Sequence, residues 1–261
     1  MTNSGAIQLV VPMAGLGTRF SESGYKTPKP LLQIHGLAMY RLVLANLLTE
    51  HVGRVAIVAQ ASWNLSSSIS ELCDQLETQI DLIEIDFVTA GPADTVQLTA
   101  PWLHLDKPVV TANSDQYVHA DLRAFYSSVE SGDVSGALLV MEDDDPKWSY
   151  ARLDPYGSVL EVREKTVISR FATVGIYGFH TASLMLNLFS AMRSRNDRVN
   201  NEFYVGPAYN YINDEGQPIA STNLGPVSTV MFGLGTPEDY ELFLRTRVSR
   251  RAVADAKNRG F

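Results

Sequence analysis

Short apolar runs alternate with helical stretches along the first half of the chain. Residues 38–49 place Met39, Leu42, Val43 and Leu47 at helical spacing. Ser68 and Glu71 have the spacing of a capping box within a second helical stretch. Apolar or alternating runs predict strands at residues 6–12, 55–59, 82–88 and 108–113. Strands that alternate with helices predict a largely parallel sheet covered on both faces.

The second half of the chain changes character. Residues 150–153 and 159–162 flank the sequence DPYG at 154–157, a strong turn signal, so we expect a β-hairpin there. A further strand is predicted at 171–179, and helices at 182–192, capped by Thr181, and at 202–212. The last helix has the clearest start, with Thr236 as N-cap and Pro237 at the first helical position. Without repeats or a low-complexity linker, the pattern predicts one continuous α/β domain with an inserted hairpin layer.

Composition and charge exclude several classes of protein. The chain has 261 residues, 45% of them hydrophobic and 19% charged, as in an ordinary soluble globular protein. A formal net charge of -8 argues against a general binder of nucleic acid or of anionic membranes. The single cysteine allows no disulfide framework, and residues 1–18 hold no Lys or Arg for a signal peptide. We therefore expect a cytoplasmic protein.

A glycine-rich loop follows the first predicted strand. Within residues 12–20, Gly15 and Gly17 allow the backbone to approach a ligand, and the exposed amides of such a turn attract anions. The loop matches neither a Walker A motif nor a dinucleotide fingerprint, which would need glycine where Phe20 stands. Taken alone, it is equally consistent with a plain tight turn.

Two cations follow the glycine-rich loop. Arg19 can form bidentate phosphate contacts, and Lys29 supplies a compact charge in a backbone fixed by Pro28 and Pro30. Together they can hold a polyphosphate at two places. The alternative is a solvated lysine in a proline-rich loop.

Acidic residues mark two more positions. Asp115 follows a predicted strand, at the sheet edge where open α/β sheets bind ligands, and could bind Mg²⁺; the alternative is a turn or a helix cap. Glu164 and Lys165 end the predicted hairpin. Lys165 could bind the phosphate of a second substrate, or the two residues could form a surface ion pair of little energetic weight.

In this order the motifs resemble those of the sugar-phosphate nucleotidyltransferase (nucleotide-sugar pyrophosphorylase) family. The matching stretches, spread over residues 7–240, are 12–20, 28–31, Asp115, Glu164 with Lys165, and 173–177. Residues 24–31 and 113–116 are more similar to members of capsule and surface-polysaccharide pathways. Some of those resemble cytidylyltransferases that act on phosphorylated small molecules other than sugars.

The resemblance implies a fold and a division of the chain. The fold is a Rossmann-like mixed, mainly parallel sheet with helices on both faces, in a single domain of residues 1–261. Residues 1–120 would be the nucleotide-binding half and residues 121–240 the acceptor-binding half, with a C-terminal helix at 236–261.

The resemblance also implies roles for individual residues. Arg19, Lys29 and Asp115 would be catalytic, with Asp115 also the ligand of a Mg²⁺ cofactor. The acceptor would contact Glu164, Lys165, Gly175 and Glu202. The nucleotide would contact Met13, Ala14, Gly15, Gly17, Thr18, Gly91, Ala93 and Ser114. One departure is Gly233, because many relatives carry a second metal-binding Asp at that position.

The implied activity is transfer of a nucleoside monophosphate from a nucleoside triphosphate to a phosphorylated acceptor, with release of pyrophosphate. A sugar 1-phosphate is the first choice of acceptor, in nucleotide-sugar or capsule polysaccharide synthesis. Three alternatives stay open: a cytidylyltransferase for a non-sugar acceptor such as phosphoglutamine, a metal-dependent glycosyltransferase using residues 143–145 (DDD), and a non-catalytic nucleotide-binding regulator. The base, the acceptor and assembly into a homo-oligomer are also left open.

Overall fold

The computed structural model describes residues 5–214 and 218–261. In chain order, its strands are β1 (Ile7–Pro12), β2 (Gln33–Ile34), β3 (Leu37–Ala38), β4 (Val52–Gln60), β5 (Ile80–Ile85), β6 (Val109–Ala112), β7 (Gln116–Val118), β8 (Gly136–Glu142), β9 (Ser149–Leu153), β10 (Val159–Glu164), β11 (Phe171–Phe179), β12 (Ile219–Pro226) and β13 (Met231–Gly233). Its α-helices are α1 (Thr18–Glu22), α2 (Met39–Leu47), α3 (Ser66–Leu76), α4 (Pro92–Gln97), α5 (Arg123–Ser131), α6 (Ala182–Ser194), α7 (Tyr209–Asp214), α8 (Val227–Val230), α9 (Pro237–Leu244) and α10 (Arg247–Asn258).

Nine of the described strands form the central sheet. Seven lie in the order β10-β9-β11-β6-β1-β4-β5, while β8 pairs with β11 and β12 pairs with β8. β1 runs parallel to β4 and β6, β4 runs parallel to β5, and β11 returns antiparallel to β6. The predicted mixed, mainly parallel sheet is therefore confirmed.

Helices cover both faces of the sheet because its central strands are apolar on both sides. In β1, Leu9 and Val11 enter one core and Val10 enters the other, and all three are at most 1% exposed. The first core includes side chains of α2, α3, α5, α9 and α10. The second includes side chains of α4, α6 and α7. Runs buried on both faces are typical of parallel sheets with helices on each side.

The predicted hairpin is present as β9 and β10, which pair antiparallel. Its turn is held by Asp154, whose carboxylate accepts hydrogen bonds from the backbone N–H groups of Tyr156 and Ser158, both at 2.8 Å. β9 joins β11 through Tyr150 and Ala172. The hairpin thus extends the central sheet and does not form a sheet of its own.

Two elements in the first half differ from the prediction. Helix α3 begins at Ser66, so Ser68 is inside the helix and caps nothing; its Oγ lies 2.6 Å from the hydroxyl of Tyr40. Strand β5 ends at Ile85, not at residue 88, because its partner β4 ends at Gln60, which is paired with Ile85.

Two elements in the second half also differ. The predicted helix over 202–212 begins only at the 3₁₀ turn Gly206–Ala208, since the backbone of Phe203 pairs with a distant loop. The predicted C-terminal helix at 236–261 is two helices, α9 and α10. The hydroxyl of Thr246 caps the second by accepting a hydrogen bond from Ser249 N, which starts a new helix at Arg247.

Strands β1, β4 and β6 all end at one edge of the sheet, at Pro12, Gln60 and Ala112. The predicted nucleotide residues follow the carboxyl ends of β1, β6 and β5, which runs parallel to β4, in agreement with the general position of ligand sites in open α/β sheets. Over residues 5–214 and 218–261, no helix has the length and apolar character needed to cross a membrane.

Candidate functional site

Gln60 joins two loops at the carboxyl edge of the sheet. Its Nε2 donates to Ala14 O at 2.7 Å and to Phe87 O at 3.0 Å. Because both partners are carbonyl oxygens, the NH₂ end of the amide must face them. One buried side chain thus fixes the glycine-rich loop against the loop after β5, and the sequence reasoning missed it. The only signal was a polar residue at the end of an apolar strand.

The glycine-rich loop turns one face to solvent. Met13 and Ala14 are buried and form its floor, whereas Gly15 and Thr18 are exposed. A Cβ placed on Gly15 would meet no atom within 4 Å, so the space beside it is open to a ligand. A Cβ on Gly17 would lie 3.2 Å from Lys29 Cβ. The loop and the lysine predicted to share a phosphate therefore lie side by side.

Lys29 and Asp115 form an ion pair at this edge. Lys29 Nζ donates to Asp115 Oδ2 at 2.7 Å, and the two side chains are 17% and 29% exposed. Burial alone would raise the pKa of Asp115, but the adjacent Lys29 ammonium outweighs it and, with the charge of Arg19, holds that pKa below its ordinary value. Asp115 is therefore held as an anion by its contact with Lys29 and by the charge of Arg19.

The segment after β13 packs closely against Asp115 because Gly235 has no side chain. Leu234 N donates to Asp115 O at 2.8 Å, and a Cβ on Gly235 would lie only 2.9 Å from Asp115 Oδ2. Across the described residues, no group of three or more His, Cys, Asp or Glu side chains is placed to hold a metal ion. A single carboxylate that is 29% exposed still fits Mg²⁺, which usually keeps several waters and binds substrate phosphates. Asp115 is the residue that would hold it.

The carboxylate of Asp239 lies near Gly233, the position at which many members of the resembling family carry a second metal-binding Asp. A Cβ on Gly233 would be 3.5 Å from Asp239 Oδ2, and that oxygen accepts a hydrogen bond from Thr236 Oγ1 at 3.0 Å. Asp239 lies in the first turn of α9, two residues after Pro237. The structure adds that its carboxylate is beside Gly233.

A cluster of hydroxyl groups surrounds Glu164. Ser149 Oγ donates to Glu164 Oε2, and Tyr177 Oη lies 3.0 Å from Thr173 Oγ1. Glu164 is 8% exposed, and burial raises the pKa of its carboxyl group. Burial also raises the pKa of Tyr177, to about 12. The half predicted to bind the acceptor thus contains a buried carboxyl group among neutral hydrogen-bonding groups.

Lys165 projects beside this cluster from a left-handed backbone conformation with φ of 53°. Its Nζ donates to Tyr204 Oη at 2.8 Å and lies 4.8 Å from the centroid of that ring. Burial and a hydrogen bond with Glu202 raise the pKa of Tyr204. Tyr204, which the sequence did not point to, therefore joins two residues predicted to bind the acceptor.

The backbone also connects the two predicted subsites. Phe203 N donates to Ala90 O at 2.7 Å, and Ala93 N donates to Phe203 O at 3.0 Å. Gly91 lies between these bonds with φ of 121°, and a Cβ there would be 2.6 Å from Phe203 N. Only glycine fits this position. The loop predicted to contact the base is thus fixed to the segment that carries Glu202.

The structure brings the predicted site residues together in two groups. Gly17 lies beside Lys29, Lys29 pairs with Asp115, and Arg19 lies exposed on α1 close enough for its charge to act on Asp115. The second group joins the residues predicted to bind the acceptor to the predicted base loop and comprises Gly91, Ala93, Glu164, Lys165 and Glu202. Ser114, predicted to touch the nucleotide, is buried.

No protein-family model matches the chain, and no curated protein matches its sequence. Solved structures resemble it along nearly its whole length. A nucleoside-diphosphate-sugar pyrophosphorylase from Vibrio cholerae has a TM-score of 0.76 and 24% identity over 91% of this chain and 100% of its own. A protein assigned as a glucose-1-phosphate thymidylyltransferase from Bacillus anthracis has a TM-score of 0.74 and 18% identity over 96% and 95%. The inositol-1-phosphate CTP transferase from T. maritima has a TM-score of 0.74 and 16% identity, covering 97% of each chain. The chain therefore shares the fold of these proteins.

Proposed function

We propose that this protein is a nucleotidyltransferase that transfers a nucleoside monophosphate from a nucleoside triphosphate to a phosphorylated small molecule and releases pyrophosphate. The observation that carries the proposal is the Lys29–Asp115 pair beside the open face of the glycine-rich loop. Anionic substrates need such local cations because the chain as a whole has a net charge of -8.

In this reaction an oxygen of the acceptor phosphate attacks the α-phosphorus in line, and pyrophosphate leaves with the electrons of the broken P–O bond. Bringing two anions together is the main barrier, so positioning and charge neutralisation supply most of the catalysis. Lys29 would contact the reacting phosphates, Arg19 the departing pyrophosphate, and Lys165 the acceptor phosphate. Mg²⁺, held by Asp115, would neutralise phosphate charge.

The hydrogen-bonding groups in the proposed acceptor half are suited to an acceptor that carries hydroxyl groups. Glu164, Ser149 and Tyr177 supply groups that can both donate and accept hydrogen bonds when the carboxyl group is protonated. Two of the similar structures are named for transfer to glucose 1-phosphate and to inositol 1-phosphate. These names support a sugar phosphate or a polyol phosphate as the acceptor. We propose that the protein works in the cytoplasm and makes an activated sugar for a surface polysaccharide. The alternative is a cytidylyltransferase that uses a non-sugar acceptor.

A glycosyltransferase with its metal on residues 143–145 is less well supported. Asp143 Oδ2 accepts a hydrogen bond from Trp148 Nε1 at 2.6 Å, and its Oδ1 accepts one from Asp144 N at 2.8 Å. The first carboxylate of this run is therefore already used to shape a loop.

One assay tests the proposal. The protein is incubated with each nucleoside triphosphate, Mg²⁺ and a panel of acceptors that includes sugar 1-phosphates, inositol 1-phosphate and phosphoglutamine, and pyrophosphate is measured. We expect pyrophosphate only when both an acceptor and one preferred triphosphate are present. Transfer from a finished nucleotide sugar would support a glycosyltransferase, and no turnover with binding of nucleotide would support a regulator. Either result would contradict the proposal.

A further inference from the structure

A cavity of about 390 Å³ opens at the amino edge of the central sheet, opposite the edge that carries the proposed active site. Small-molecule sites in proteins have volumes of about 300–1,000 Å³, so this amino-edge cavity has room for a ligand the size of a metabolite. None of its lining residues has a role in the proposed reaction. It is lined by residues 5–8 at the start of β1, Gly53 and Arg54 of β4, and Gln79, His104 and Lys107 from the loops before β5 and β6.

The amino-edge cavity is separate from the proposed reaction centre. Strand β1 begins at Ile7, which lines the cavity, and ends at Pro12, where the glycine-rich loop starts. A strand of this length, six residues, spans about 17–20 Å. A small ligand in the cavity would therefore not contact the nucleotide loop, and the cavity would be a second site.

A buried glutamine fixes one wall of the amino-edge cavity. Gln8, 3% exposed, accepts a hydrogen bond from His104 N at 2.6 Å and donates one to His104 O at 2.9 Å. The backbone N–H of Gln8 donates to Pro108 O at 3.0 Å. The loop that carries His104 and Lys107 is therefore fastened to β1, which holds the backbone of both residues at the cavity.

Arg54 is held at the opposite wall by a carboxylate. Its Nε donates to Asp81 Oδ2 at 2.7 Å, and Gln79 Nε2 donates to the two oxygens of the same carboxylate at 3.1 and 3.3 Å. Arg54 Nη1 lies 3.4 Å from His104 Nε2, and the arginine side chain is 23% exposed. Asp81 thus fixes the guanidinium through Nε, while the terminal nitrogens lie on the side of His104.

Lys107 gives the amino-edge cavity a net positive charge. The residue is exposed, and over residues 5–214 and 218–261 its Nζ has no hydrogen-bond or ion-pair partner. Asp81 is already neutralised by Arg54, so the charge of Lys107 is left uncompensated at the cavity. A planar arginine fork and a compact lysine charge facing one space suit a phosphate group, which has several acceptor oxygens.

We propose that the amino-edge cavity is a second ligand site, in which Arg54 and Lys107 bind the phosphate group of a small phosphorylated molecule. His104 would supply a further hydrogen bond, and the uncharged part of the ligand would fill the remaining volume beside Gly5 and Gly53, which have no side chains. This inference does not depend on the proposed function, because binding at the amino edge requires no turnover.

The test follows the ring signals of histidine by NMR in protein labelled at histidine, at constant pH and ionic strength. The His104 signal is identified with His104→Gln, and the probes are inorganic phosphate, glucose 1-phosphate and glucose. We expect a saturable shift of the His104 signal with both phosphates and none with glucose. Because the signal reports only the amino edge, Lys29→Met in the proposed active site should leave the shift intact.

Variants of the two cations test their role. We expect Kd for glucose 1-phosphate to rise by about tenfold or more in Lys107→Met and in Arg54→Gln. Lys257→Met, which removes the same charge at an exposed position on α10, is the matched control and should stay within about twofold of wild type. If Arg54→Gln fails to fold because Asp81 loses its partner, Lys107→Met decides alone.

Several results would overturn this inference. One is the absence of a saturable His104 shift with glucose 1-phosphate, and another is the same Kd in Lys107→Met and Lys257→Met. A shift with inorganic phosphate but not with glucose 1-phosphate would show a site for a free ion and would also overturn it. None of these results bears on pyrophosphate release, so the proposed function stands or falls separately.

Discussion

Lys29 and Asp115 are 86 positions apart in the sequence, and their side chains meet at 2.7 Å. Lys29 begins a 3₁₀ turn fixed by prolines, and Asp115 follows β6 at the same sheet edge. With side chains 17% and 29% exposed, the pair is partly shielded from water yet open to a ligand. The Lys29 ammonium keeps the Asp115 carboxylate charged before any substrate arrives.

We expect Lys29→Met and Asp115→Asn each to reduce pyrophosphate release by about a hundredfold or more, or about 2.7 kcal/mol of transition-state stabilisation. Stability should change little, by about 1 kcal/mol or less, because the pair is still partly exposed to solvent. Lys257→Met, at an exposed position on α10, is the control and should keep full activity. Near-normal activity of both site variants would refute these assignments.

Gly15→Ala should separate binding from folding. Because a Cβ at this position meets nothing within 4 Å, the ligand-free Tm should equal that of the wild-type protein. Triphosphate KM should rise by about tenfold, since the methyl group would occupy the open face of the loop. Steady-state kinetics and thermal unfolding test this. An unchanged KM would mean that the triphosphate does not approach Gly15.

Gly91→Ala should destabilise the protein by about 3 kcal/mol or more, because its Cβ would meet the backbone of Phe203 at 2.6 Å in a conformation that only glycine tolerates. Gly24→Ala is the matched control, with φ of 89° and no atom within 4 Å, and should cost about 1–2 kcal/mol. Chemical denaturation measures both. Equal losses would show that contact with Phe203 is not the cause.

Glu164→Gln should change how stability depends on pH. Burial raises the pKa of Glu164 in the folded protein, so its contribution to stability is fully present below the unfolded pKa and is lost as pH rises through the folded pKa. Glutamine cannot ionise, so the variant should match wild type in Tm near pH 4 and exceed it at pH 8. Melting curves without substrate test this. A variant that is less stable at pH 8 would reverse the sign and contradict the assignment.

Gln60→Met should weaken triphosphate binding through two loops at once. Ala14 O and Phe87 O would both lose their donor, at a cost of about 1–3 kcal/mol in unfolding free energy. Triphosphate KM should rise by about tenfold, and Gln8→Met should lose similar stability with unchanged KM. Equal KM values in the two variants would show that the joined loops do not position the nucleotide.

Local chemistry allowed several elements to be predicted from sequence. Thr181 and Thr236 cap α6 and α9 as expected, and the DPYG turn forms the expected hairpin, because each signal acts within a few residues. The prediction of a helix at 202–212 was wrong for its first turn, because the helical segment begins at Gly206. Its residues had helical character, but Phe203 hydrogen-bonds to Ala90, and no local pattern contains that contact.

The candidate site also contains residues that local sequence motifs indicate and residues that only distant contacts reveal. Arg19, Lys29 and Asp115 could be proposed from sequence because each belongs to a short motif in which charge follows a turn or strand. Gln60 and Tyr204 were missed because their importance arises from partners far away in the chain. Sequence could not show which of many buried or half-buried polar residues would meet at the sheet edge.

The two hydrogen bonds of Phe203 limit how this protein can be redesigned. Hydrogen bonds of Phe203 with Ala90 and Ala93 hold the predicted base loop and the predicted acceptor segment together, so that neither can move without the other. A graft that replaces residues 89–95 to change base preference would also move Glu202 and Tyr204. Chimeras should therefore exchange residues 89–95 and 201–204 together, and changes of the two specificities should arise as paired rather than independent events.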